Sequence, residues 1–211
     1  MPKMATTSII SRPPPTAVIY DLTTANKATI TLPRGSAWTS GLHWHETHTE
    51  YLRVVSGTIR VRLGDETFDV SAGPSSAELR IDRYTWHEWA RASVAGDEHV
   101  VVVERTEPAD GEKAVFFREL NGVILGAAAA AAAGRAWVPS WVVGAWVQWR
   151  LMVVFYRRDN FPVMLGVREL ARRWGVTAVG SVGDCLLWWV EVWWSRLVLR
   201  VAAVVAWVVF T

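Results

Sequence analysis

Cysteine is nearly absent: Cys185 is the only one in 211 residues. No intrachain disulfide can form, which excludes a small cross-linked scaffold, and a lone thiol fits a reducing compartment. The opening MPKMATTSIISRPPPTAV lacks the continuous apolar core of a secretory signal, so an intracellular protein is expected. No uncharged run reaches the roughly 18 residues that mark a transmembrane helix. A nucleophile elbow, a phosphate-binding glycine loop and a Cys–His pair are all missing. Any chemistry therefore has to come from a bound metal, by polarising a carbonyl or enol or by activating dioxygen.

What is present falls into two halves. Residues 1–110 carry 11 Lys/Arg against 14 Asp/Glu, whereas residues 111–211 carry 11 against 6. Ten of the fourteen tryptophans lie in the second half, where all the basic residues but one are arginine. Basic and aromatic residues on a polar surface would suggest nucleic acid. Here the background is apolar, so nucleic acid is not expected and a membrane surface is the better partner.

From about Thr16 to Thr106 the hydrophobic period is two. Ala28, Ile30 and Leu32 alternate with polar neighbours, as do Glu50, Leu52 and Val54, and Ile59, Val61 and Leu63. Ser56-Gly57, Gly64-Asp65, Ala72-Gly73-Pro74 and Ala95-Gly96-Asp97 break these runs. Short alternating strands with frequent turns predict a sandwich or barrel. The triple proline Pro13–Pro15 makes residues 1–14 an extended, disordered leader by expectation.

After Glu107-Pro-Ala-Asp-Gly the spacing of Phe116, Phe117, Leu120 and Ile124 becomes helical. Seven alanines, Ala127 to Ala133, then read as a spacer. The Trp/Val-rich segments 136–156 and 186–210 balance apolar gain against Arg150, Arg196 and Arg200. An arginine at a helix centre costs about 2.5–3.5 kcal/mol and each Leu, Ile or Val returns about 0.3–0.6. They predict a tail that is membrane-associated, as a helical hairpin or lying in the interface. The alternative is that they pack on the barrel or on another subunit. The expected organisation is thus a leader (1–14), a β-barrel (15–110), a helix with its alanine spacer (111–135) and a hydrophobic helical tail (136–211).

Chemistry concentrates in GLHWHETHTEYLRVVSG, residues 41–57. On a strand, His43 and His45 share one face, about 7 Å apart along the chain. Glu50 opens the next inward-facing set. A carboxylate beside two imidazoles is a first shell for Fe, Mn, Ni, Zn or Cu. His87, in IDRYTWHEWAR, is a fourth candidate that barrel closure would bring in. Parity then sends Trp89 and Arg91 inward too, as candidate pocket lining or, in the alternative, as a core tryptophan and an arginine at the barrel mouth. His48 is expected to be exposed, and His99 to belong to a packed last strand.

The spacing His43-x-His45-x4-Glu50-x6-Gly57 resembles the first signature motif of the cupin superfamily, and the hairpin and second histidine-bearing strand that follow are also similar. The resemblance covers about residues 28–106. It implies a mainly β fold, a jelly-roll barrel followed here by an α-helical, Trp-rich extension. It also implies one divalent transition metal held by His43, His45, Glu50 and His87. The second motif departs from the family pattern: Asp82 and Tyr84 stand where proline and glycine are usual, and Arg91 where an asparagine closes it. The VFFREL stretch and its helical sequel also resemble small fungal cupin-domain proteins of small-molecule metabolism. An oxygenase, other oxidoreductase or isomerase acting on a small organic molecule is therefore expected. The alternative is a non-catalytic metal- or ligand-binding module tethered to a membrane or partner. Cupins often pair, so a homodimer is a further expectation.

Overall fold

The structure is a computed structural model that describes residues 8–73, 77–96, 98–132, 139–173 and 181–210. The first seven residues of the expected leader, the Gly73-Pro74 turn beyond Gly73, Asp97, Ala133, residues 136–138 and Trp174 lie outside the described residues.

Alternation becomes architecture directly. One antiparallel sheet contains β1 (Ile9–Arg12), β2 (Val18–Asp21), β3 (Lys27–Leu32), β5 (Thr49–Ser56), β8 (Leu79–Ile81) and β10 (Val100–Glu107), in the order β1-β2-β3-β10-β5-β8. The other contains β4 (His43–Trp44), β6 (Thr58–Leu63), β7 (Glu66–Ser71), β9 (His87–Arg91) and β11 (Phe161–Pro162), in the order β11-β4-β9-β6-β7. Inward positions at spacing two (Ala28, Ile30 and Leu32 from β3, Leu52 and Val54 from β5, Ile59 and Val61 from β6) interleave as one core. Their polar alternates, such as Arg60 beside Asp69, face solvent. Gly57 makes the β5–β6 turn at φ +74°, and a Cβ there would lie 2.9 Å from Val100 Cγ2. Only glycine meets both demands.

The leader is partly structured. Ile9–Arg12 pair with β2 as an edge strand, and Arg12 donates to the Tyr20 hydroxyl as its guanidinium approaches the ring. His99 does not belong to the packed last strand: it is exposed, and the alternation of burial begins at Val100.

Four helices follow: α1 (Glu112–Ala132), α2 (Ser140–Arg157), α3 (Val167–Arg173) and α4 (Ser181–Phe210). Phe116 and Phe117 of α1 close over the barrel core, and α2 lies between α1 and α4. Val192 and Leu199 of α4 pack with Phe161 on Trp44 and Trp86, outside the β4–β9 sheet face. Two buried polar residues one turn apart fix the rotation of α4. Glu191 accepts from the backbone N–H groups of Met164, Leu165 and Val167 at 2.6, 2.8 and 3.2 Å, and Ser195 Oγ donates to the Pro162 carbonyl at 3.0 Å. The inner face of the tail is therefore packed on the barrel. Its outer face exposes Trp141, Trp146, Trp193, Leu197, Val204 and Trp207.

Among the described residues, one helix is long and apolar enough to cross a membrane, and it is α1, with mean hydropathy 1.4. The Trp-rich helices carry charges along their length, among them Arg150 and Arg157 in α2 and Glu191, Arg196 and Arg200 in α4.

Candidate metal centre

Three of the ligand candidates come from strands, and His45 lies just past the end of β4. His43 sits directly opposite His87 in the β4–β9 pair, and Glu50 enters from β5 in the facing sheet. The ring centroids of His43 and His87 lie 4.2 Å apart, those of His43 and His45 5.0 Å, and those of His45 and His87 5.3 Å. One ligand atom from each of His43, His45, Glu50 and His87 lies within 4.8 Å of the others, and all four residues are buried.

The register of His87 survives the irregular second motif. Tyr84, standing where the family has glycine, adopts the glycine-like conformation itself at φ +64°. Left-handed backbone costs a non-glycine residue about 1–2 kcal/mol. It is offset by contacts: the Tyr84 N–H donates to the His45 carbonyl at 2.7 Å, and the ring meets Trp188 of α4 edge-on with Arg196 beside it.

Tautomers follow from hydrogen bonds. The Nδ1–H of His43 donates to the Gly41 carbonyl at 2.7 Å, that of His87 to the Thr85 carbonyl at 2.9 Å, and that of His45 to the Asp159 carbonyl. Each Nε2 is then an unprotonated acceptor aimed at the centre. Burial holds the His43 imidazole well below its ordinary pKa, helped by the neighbouring His87 and His45. Burial also lowers that of His45, against the pull of Glu50. Glu50 goes the other way: burial pushes its carboxyl up, but the Lys113 ammonium leads the interactions that outweigh burial and hold it well below the carboxylate range.

This donor set fits a divalent cation. His45 Nε2 and Glu50 Oε2 are 3.1 Å apart, two acceptors facing one another. His87 Nε2 is buried without a hydrogen-bond partner, 3.6 Å from Glu50 Oε1. Buried acceptors left in this way are costly unless a cation sits among them. Neutral imidazoles and an ionised carboxylate are the protonation states that metal coordination needs.

Lys113, the one lysine among the basic residues after 110, reaches in from the first turn of α1. Its ammonium contacts Glu50 and lies 3.1 Å from Glu104, which also accepts from Trp89 Nε1 at 2.8 Å. Burial disfavours the ammonium, but Glu104 and Glu50 more than compensate and raise its pKa. The Glu104 carboxyl is raised by burial. Two narrow cavities open beside the cluster between the barrel and α1, and Lys113, Phe116 and Asn160 line both.

Of the two placements open to Trp89 and Arg91, pocket lining is not the one adopted: neither lines these cavities. Trp89 is core, tilted against Trp38 with centroids 4.8 Å apart, and Arg91 bonds the Gly96 carbonyl at the hairpin end. His48 is not exposed: Nδ1 meets Asp159 at 2.7 Å and Nε2 meets Asp110 at 3.0 Å, because α1 and the segment after α2 cover it. Sequence reasoning did not find Lys113, Glu104 or Asp159. The solitary lysine was the available signal for the first. Asp159 had none beyond its place in a chain break.

Residues 29–104 match the family model described as Cupin domain. The chain carries a cupin domain. No curated protein matches it significantly in sequence. Among solved structures, it is similar to a predicted oxalate decarboxylase from Thermotoga maritima (18% identity, TM-score 0.37), covering 46% of this chain and 88% of that one. It is similar to KdgF from Halomonas sp. (18% identity, TM-score 0.36), covering 48% and 87%. It is also similar to the capsular polysaccharide assembling protein CapF from Staphylococcus aureus (20% identity, TM-score 0.36), covering 46% of this chain and 28% of CapF.

Proposed function

We propose that this cupin binds one divalent transition metal through His43, His45, Glu50 and His87 and uses it to transform a small organic molecule. The observation that carries this reading is the convergence of four buried ligand atoms within 4.8 Å, with His87 Nε2 otherwise unpartnered. When bound, the metal would supply Lewis-acid polarisation of an oxygen-bearing substrate, or redox chemistry if it is Fe, Mn or Cu. The chain's own residues do the rest. The cavity wall of Trp38, Phe116 and Phe117 excludes water and favours a flat apolar body, while Ser40 and Asn160 offer hydrogen bonds that orient it. Lys113 keeps Glu50 ionised and holds a positive charge 3.1 Å from Glu104, in the wall that both cavities share. An oxygenase, oxidoreductase or isomerase reaction on an enol or aromatic substrate suits this environment.

The test is elemental analysis of the purified full chain beside His43→Ala/His45→Ala. One metal per chain, lost in the double variant, is expected; no stoichiometric metal in the parent protein would sink the reading. The lysine-filled, narrow cavities favour a second reading, a non-catalytic metal-binding module. Metal binding without turnover of enol or aromatic carbonyl substrates would put it ahead.

We infer further that the tail lies on a membrane surface rather than across it. Its inner face is committed to the barrel, whereas its outer face exposes tryptophan, valine and leucine together with Arg150, Arg157 and Arg200. α2 has no acid, and Glu191 of α4 is buried. Tryptophan favours the bilayer interface and arginine favours anionic headgroups. Carbonate extraction releasing the full chain from membranes is expected, and complete retention would refute the surface placement.

A further inference from the structure

We propose that Asp159, which lies outside the cupin domain and 114 residues after His45, is a positioning residue of the metal centre. The inference rests on the metal-binding reading above.

The local geometry is unusual for a loop residue. Asp159 follows α2 in the left-handed conformation at φ +51°. This turn lets one residue use its carbonyl and its carboxylate on the same stretch of chain. The carbonyl accepts from His45 Nδ1. The carboxylate Oδ1 accepts from the Glu46 N–H at 2.8 Å, and Oδ2 from the Thr47 N–H at 3.0 Å and its hydroxyl at 2.7 Å. Oδ2 also meets the His48 N–H at 3.1 Å and Nδ1 at 2.7 Å. Every residue from His45 to His48, the connection between the strand of His43 and the strand of Glu50, is therefore held by Asp159.

Its neighbours hold Asp159 in turn. Arg158 pairs with Glu112 at 2.7 Å and Glu119 at 2.6 Å, both on α1. Asn160 lines both cavities, and Phe161–Pro162 pair as a strand with Trp44 and His43. The other two histidines take their Nδ1 acceptors from within their own motifs, at Gly41 and Thr85. His45 alone takes its acceptor from the extension. Without it the ring is free to present Nδ1 instead of Nε2, or to rotate away from Glu50. Losing such an outer partner of a metal-ligating histidine typically weakens binding by about 10–100-fold.

Cobalt(II) titration of the full chain tests this, because the visible spectrum of the bound ion reports ligand identity and geometry independently of turnover. Asp159→Ala keeps the backbone carbonyl but removes the carboxylate that holds residues 46–48 against it, so the carbonyl is no longer fixed on His45; cobalt affinity should fall by about 10–100-fold and the visible bands should shift. Asp159→Asn tolerates the left-handed turn and keeps one acceptor oxygen, so it should lose less affinity and restore most of the spectrum. Far-UV circular dichroism and the thermal midpoint of the metal-free chains separate a folding loss from a positioning loss. Parental affinity and an unchanged spectrum in folded Asp159→Ala would overturn the inference. If Asp159→Ala does not fold, Asp159→Asn decides: parental affinity and spectrum overturn the inference, and a partial loss with shifted bands supports it. A parent chain that binds no cobalt instead overturns the metal-binding reading itself.

Discussion

The barrel and the tail bury hydrophobic surface by opposite rules. In β3, β5 and β6 every second residue is apolar, so each strand has one orientation that hides Ile30, Leu52 or Val61 and exposes the polar alternates. In α4 nearly every position is apolar, so pattern alone gives no preferred face. Its orientation comes from the few polar residues that must find partners, Glu191 and Ser195, both fully buried and bonded to the chain between β11 and α3. A strand pattern specifies by what it hides; this helix is specified by what it cannot leave unpaired.

That contrast can be attacked at its joints. The largest effect is expected at the centre: His43→Ala/His45→Ala should abolish stoichiometric metal while leaving the far-UV circular dichroism of the barrel, because the core of Ile30, Leu52 and Val61 is untouched. Next is the seam. Trp44 is fully buried and stacked on Phe161 with centroids 5.6 Å apart. Trp44→Ala should cost about 3–5 kcal/mol in denaturant unfolding and loosen the tail. Gly57→Ala should cost about 1–2 kcal/mol through left-handed strain, with more from its contact with Val100, read as a lower thermal midpoint.

A smaller effect comes from pH. Burial lifts the Asp159 carboxyl, but donors from His48, Thr47 and Glu46 outweigh it and lower the pKa. Its contribution is present above the ordinary carboxyl value of about 3.9 and is lost as pH falls through the lower folded value. Burial disfavours His48 imidazolium, but Asp159 and Asp110 outweigh it and raise the pKa. That contribution is complete below about 6.5 and is lost as pH rises through the higher folded value. Tail docking, followed by tryptophan fluorescence, should be tightest between about pH 4 and 6.5; a monotonic profile would contradict this. Smallest is Val204→Ala on the exposed face of α4. It should change stability by no more than about 0.5 kcal/mol yet reduce flotation with anionic vesicles.

The same contrast explains what could be read from the sequence. Strand parity located the inward faces, and the spacing of His43, His45, Glu50 and Gly57 located the motif, because both are local. His87 could be nominated, but only the pairing of β4 with β9 aligns it, and Tyr84 supplies by strain what a glycine would have supplied freely. For Trp89 and Arg91 parity gives a face but not a depth, so core and pocket stayed open: Trp89 belongs to the core, and Arg91 to the hairpin end. The partners of Lys113 and Asp159 could not be assigned because they lie 63 and 114 residues away, beyond any periodic signal.

The two-residue strand β11 bears on how the protein is made. β4 has β9 on one side and Phe161–Pro162 on the other. During synthesis, at about 5–20 residues per second, the histidine strand emerges first and its outer neighbour more than a hundred residues later. For roughly 6–25 seconds at those rates the nascent barrel carries Trp44 uncovered and one edge unpaired. A ribosome stalled in that interval would display a sticky half-finished sheet, which is where a chaperone has most to protect.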